Sequence, residues 1–131
     1  MRTMKLFFVS ALILMFSAVV VGQPKPWVVP ANVKSMKNPV AQSDASAKVG
    51  LALFTKNCAA CHGKTGLGDG VKARTIKDFP GDFSKAEFQS LSDGDLFYRT
   101  KAGRGDMPKY EGKLADDDIW NVVNYLRTLK K

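Results

Sequence analysis

Near the end of the chain, Ile119, Val122, Val123, Leu126 and Leu129 recur three and four residues apart, with Tyr125 beside them. That spacing predicts a helix with one buried face. Asp116, Asp117 and Asp118 open it and Lys130 and Lys131 close it, the charge order that favours a helix dipole. A metal site at these three adjacent acids is disfavoured, because neighbouring positions on a helix cannot converge on one ion. A second helix is predicted over Ala47–Asn57, with Ser46 as N-cap and Leu53, Phe54 and Cys58 on its apolar side. Gly50 costs such a helix up to ~1 kcal/mol against alanine. It makes sense where another helix crosses closely, and the C-terminal helix is the candidate. A third helix is predicted over Gly94–Ala102, with Ser92 and Asp95 as a capping box and Gly103 as the stop.

The first 22 residues follow a different pattern. Arg2 and Lys5 precede an apolar run from Leu6 to Val21, and Gly22 supplies a small residue behind it. This is the form of a secretory signal peptide cleaved near Gly22. The run is shorter than the ~20 residues that span a bilayer comfortably, which makes an uncleaved anchor the alternative. Residues 23–45 carry Pro24, Pro26, Pro30 and Pro39 with little periodicity, and are expected to be an arm or linker. Trp27 is either pinned onto the following domain or an incidental aromatic on a tether. Residues 46–131 remain as one small helical domain.

Across the whole chain 20 Lys and Arg face 12 Asp and Glu, a formal net charge of +8. Arg2 and Lys5 apart, the excess still suits docking on an acidic partner surface. The lysines are scattered and not interleaved with aromatics, so nucleic acid is not an expected partner.

Both cysteines and the only histidine fall within Cys58-Ala59-Ala60-Cys61-His62. This is the spacing of c-type haem attachment: two thiols for the vinyl groups, and an imidazole directly after them for the iron. A structural zinc would lack a fourth ligand. A thioredoxin-like redox motif would need alternating strands and helices. A disulfide across the two alanines would leave His62 unexplained. The Gly63–Gly70 loop has four glycines but no Gly-Lys-Ser/Thr ending, so a phosphate-binding loop is disfavoured. Glycine also lets backbone pass closely over a cofactor edge. Attachment of haem outside the cytoplasm agrees with an exported, periplasmic chain.

The second axial position must be filled from elsewhere or left open. Outside the leader only Met36 and Met107 are methionines, and Met107 lies in Gly103-Arg104-Gly105-Asp106-Met107-Pro108, which cannot be regular helix. Such a loop can turn a thioether toward the haem. A core-filling methionine, or a vacant site that binds small gases, are the alternatives.

With these residues in place the chain resembles the class I c-type cytochromes, small monohaem electron carriers of bacteria, over about residues 46–131. Cys58, Cys61 and His62 match the attachment motif, and Met107-Pro108 the distal-ligand motif. Gly50 and Phe54 match the N-terminal helix, and Trp120 with Tyr125-Leu126 the C-terminal helix that crosses it. The resemblance implies an all-α cytochrome c fold of three to five short helices around one covalently bound haem c. It implies His62 and Met107 as iron ligands and Pro80 as the carbonyl that orients His62. Arg104 or Tyr110 would meet the propionates. Ala115 stands where relatives often place a Ser or Thr cap, which leaves Asp116 to take that role. The implied activity is one-electron transfer between redox partner proteins, not catalysis on a substrate. Docking would use an exposed haem edge and bases such as Lys56 and Lys64. A subunit of a larger oxidoreductase, with residues 23–45 as its interaction segment, and a gas-binding protein are the other readings. A dihaem peroxidase would need a second attachment motif.

Overall fold

The computed structural model describes residues 25–131, so the leader over residues 1–22 lies outside the described residues. Six helices follow one another: α1 (Ala31–Lys34), α2 (Asp44–Asn57), α3 (Ala59–His62), α4 (Ala86–Gln89), α5 (Asp93–Ala102) and α6 (Asp116–Arg127). Among the described residues there are no strands, only two isolated bridges, Arg104 with Met107 and Glu111 with Leu114. The fold is all-α, with five helices in the domain and a sixth, α1, in the arm.

The core forms where α2 crosses α6. A Cβ built on Gly50 would lie 2.0 Å from the Asn121 carbonyl oxygen and 2.8 Å from Tyr125 Cβ, so only glycine lets the backbones meet. Around the crossing, Ile119 and Val123 are 0% exposed and Phe54 1%. The apolar face predicted for α6 is therefore the buried one. On the other side of α6, the Trp120 ring stacks on Phe97 of α5, centroids 4.1 Å apart.

Three local expectations need correction. Helix α2 starts at Asp44, not Ala47, because Ser43 is the N-cap. Ser43 Oγ accepts from the Ser46 amide at 3.1 Å and Ser46 Oγ accepts from the Ser43 amide at 3.0 Å, so Ser46 sits one turn inside the helix. Asp116 does not cap α6. The N-cap is Ala115 without a side-chain bond, and the Asp116 carboxylate instead receives Lys101 Nζ at 2.7 Å, tying α6 to α5. Helix α6 ends at Arg127, short of Lys130 and Lys131. The Arg127 guanidinium donates to Asp93 Oδ1 and to the Gln89 and Leu91 carbonyls, fastening the end of α6 to the start of α5. The capping box of α5, Ser92 with Asp95, and its stop at Gly103 (φ 61°) are as expected.

The arm packs on the domain. Asn38 Nδ2 donates to the Trp120 carbonyl and to Asn124 Oδ1, while buried Asn124 donates to the carbonyls of Val40 and Ala41 and to Ser46 Oγ. Ser92 Oγ reaches the Lys34 carbonyl at 2.7 Å. No helix of the described residues is long and apolar enough to cross a membrane.

Candidate haem site

Cys58 caps the end of α2 and the one-turn helix α3 carries Cys61 and His62, so the three residues of the motif are presented from a single bend. The carbonyls at this bend are satisfied by the glycine loop. The amides of Gly68, Gly70 and Lys72 donate to the carbonyls of His62, Cys61 and Ala60 at 2.9, 3.2 and 2.8 Å. A Cβ on Gly70 would meet the Ala60 carbonyl at 2.4 Å. The amides that a phosphate would need are thus spent on holding the motif, which removes the nucleotide reading.

Cys58, Cys61, His62, Pro80, Arg104, Met107 and Tyr110 all line one cavity of about 410 Å³, joined by Trp27, Lys72, Ile76, Phe79 and Pro108. The seven residues expected to attach, ligate or contact the cofactor are therefore brought to the same place. The volume falls in the range of cofactor pockets, ~300–1,000 Å³. Both thiols are unpaired, and burial, with the neighbouring Cys61, pushes the Cys58 thiol up to about 12. Among the described residues, no three His, Cys, Asp or Glu side chains are grouped to hold a bare metal ion. The donor set fits haem attachment instead: two thiols and one imidazole, all half-buried on one wall.

His62 is gripped by aromatics. Its ring lies 4.7 Å from Phe83, tilted by 32°, and 6.5 Å from Phe54. Burial lowers its pKa and the Pro80 backbone carbonyl acts the other way, the burial being the larger effect. Nδ1 is buried with no partner in hydrogen-bond geometry, so the Pro80 carbonyl influences the ring without closing a full bond. The neutral imidazole that burial favours is the form that ligates a metal.

Met107 is held by a tight turn, in which the Arg104 amide donates to the Met107 carbonyl at 3.0 Å and the Met107 amide to the Arg104 carbonyl at 2.9 Å. Tyr110 donates its hydroxyl proton to the Asn57 carbonyl at 2.6 Å, supporting the residue just ahead of Cys58. Burial raises its pKa. Arg104 Nη1 donates to the Lys25 carbonyl at 2.7 Å, and of its five N–H donors the others remain. Lys56 and Lys64 are exposed but off the cavity wall, whereas Lys72 is both exposed and on it. Sequence reasoning missed Lys72 and Phe83. For Phe83 the available signal was a second aromatic just beyond Phe79-Pro80-Gly81, in a loop where an apolar ring needs a buried partner.

An all-α domain with two thiols and an imidazole on one cavity wall defines a covalent haem carrier. The family model described as cytochrome c oxidase, cbb3-type, subunit III matches residues 45–126. Cytochrome c6 of Picosynechococcus sp. is 33% identical over 102 residues, covering 73% of this chain and 82% of that protein. Among solved structures, a chain of the reducing HAO-like protein complex of Kuenenia stuttgartiensis superposes with TM-score 0.66 at 26% identity. That likeness covers 83% of this chain and 52% of the other, so the chain spans about half of that subunit. Cytochrome CL of Methylophaga aminisulfidivorans matches in fold, with TM-score 0.52 at 23% identity over 66% of this chain and 56% of that one. The chain belongs to the cytochrome c family, as a small class I c-type cytochrome that binds haem and transfers electrons.

Proposed function

We propose that the protein is a monohaem one-electron carrier of the periplasm, exported by residues 1–22 and cleaved near Gly22. Cys58 and Cys61 would hold the haem covalently, and His62 and Met107 would ligate its iron. The observation that carries this reading is that both thiols, the imidazole and the Met107 turn line one cavity. When bound, haem c supplies an iron that cycles between Fe(III) and Fe(II). The protein's residues set the conditions for that cycle. Phe54 and Phe83 hold the His62 ring in a fixed plane. The Pro80 carbonyl acts on the ring's other nitrogen and raises ligand basicity. A Met107 thioether on the iron would favour the ferrous form and leave no open position for a substrate. Arg104 offers its remaining donors to the propionates, while Tyr110 holds the Asn57 carbonyl. Redox partner proteins dock near the haem edge, where Lys72 is better placed than Lys56 or Lys64.

Met107→Ala is the direct test. The methionine-to-iron absorption band should disappear and the reduction potential should fall. An unchanged spectrum would remove Met107 as the ligand. Mass spectrometry of the exported protein reads cleavage and the number of haems added together.

A second reading, a subunit of a larger oxidoreductase, draws on one observation. The likeness to the Kuenenia complex covers more of this chain than residues 45–131 provide, so it takes in part of the arm. Co-purification from the native periplasm separates a free carrier from a subunit.

A further inference from the structure

Trp27 lies outside the segment matched by the family model, yet it is the one arm residue on the wall of the haem cavity. Its ring is flanked by two guanidiniums, Arg104 at 4.2 Å and Arg99 at 5.6 Å from the centroid. Arg99 Nε is buried without a hydrogen-bond partner, and the nearest carboxylate to that side chain is Asp95 at 3.9 Å. The aromatic face adds a cation–π contact with each guanidinium to the compensation that Asp95 gives Arg99 and solvent gives Arg104. Arg104 also grips the arm backbone through the Lys25 carbonyl, and its own backbone closes the turn that carries Met107. Ring, guanidinium and methionine turn form one connected unit.

The other end of the arm is fastened separately. A Cβ on Gly94 would lie 1.9 Å from the Val33 carbonyl oxygen and 3.1 Å from that of Lys34. Glycine at this helical position serves the arm and not α5, since α5 itself would gain from alanine.

We propose that residues 25–42 are a strap that closes the haem cavity, with Trp27 as its positioning residue. Through Arg104, Trp27 holds the Met107 turn in place and keeps small molecules away from the iron. The inference rests on the haem reading above. Segments fastened by a few contacts open far more often than the helical core, and each opening exposes the cavity. Removing one fastening raises the open population without disturbing the crossing of α2 and α6.

The test uses the exported full-length holoprotein and three variants, Trp27→Ala, Trp27→Phe and Gly94→Ala. The readouts are the rate of carbon monoxide binding to the reduced protein, the methionine-to-iron band and the far-UV helicity. Trp27→Ala and Gly94→Ala should each bind carbon monoxide about tenfold faster with native helicity, and Trp27→Phe should stay close to the native rate. A native rate in either of the first two variants, or a faster rate only where helicity is lost, overturns the strap. Haem mass on the unaltered protein separates the two failures. Its absence defeats the haem reading, and its presence with native rates defeats the strap alone.

Discussion

Gly50 shows how one missing carbon can organise a domain. The nearest neighbour of the absent Cβ is a backbone oxygen, that of Asn121, so no rotamer change can make room for it. On an isolated helix alanine would be the better residue by up to ~1 kcal/mol. In the folded chain the two helices would have to separate, and overpacking of this kind costs ~1–3 kcal/mol. Gly50→Ala should therefore lower stability by about 2 kcal/mol in denaturant unfolding. Combining it with Tyr125→Ala should not restore the loss, because the clash is with backbone. A stabilised or neutral Gly50→Ala would mean the crossing is looser than the geometry shows. His62 lives under the same kind of constraint, wedged between Phe54 and Phe83. Those contacts fix the ring that follows Cys61, and they left no pattern in the sequence.

At the scale of elements, the division between what was legible and what was not follows the nature of the contact. Helices α2 and α6 left periodic apolar positions in the sequence and α5 left a capping box and a glycine stop, so their existence could be read directly. The start of α2 was misplaced because Ser43 and Ser46 both satisfy the chemistry of a cap, and only reciprocal bonding tells them apart. The docking of the arm left no pattern at all. It depends on single polar side chains reaching across more than eighty residues, such as Asn38 to Asn124. Asn124 is the centre of this attachment, being buried and bonded to Asn38, Val40, Ala41 and Ser46. Asn124→Ala removes all of these and leaves part-buried acceptors to be met by water, whereas a fully buried unpaired group costs ~1–3 kcal/mol. A loss of about 3 kcal/mol is expected, with earlier hydrogen exchange at residues 38–46 than at α6. Uniform exchange across both segments would show that the arm is not a separately opening unit.

The whole molecule combines a lined cavity with an unbalanced charge. The chain carries a formal +8, and residues 1–22 contribute only Arg2 and Lys5 to it, so the rest of the chain stays basic. In the site, the thiols, His62 and Met107 are turned into one cavity whose wall includes exposed Lys72. The cavity wall itself sets Lys72 and Arg104 beside Asp78 and Asp106, so the net positive field around it comes from the basic chain as a whole. Fields of this kind raise encounter rates with anions and are screened by salt, with a Debye length of about 10 Å at 0.1 M. Reduction by an anionic small-molecule reductant should therefore slow several-fold between low and physiological ionic strength, while reduction by a cationic one should speed up. Lys72→Glu should flatten that dependence more than Lys48→Glu. Lys48 lies on α2 some ten residues before Cys58, which is about 15 Å of helix. Stopped-flow rates over a salt series measure both slopes. Equal effects from the two substitutions would place electron entry away from the cavity edge and separate the protein's net charge from its docking chemistry.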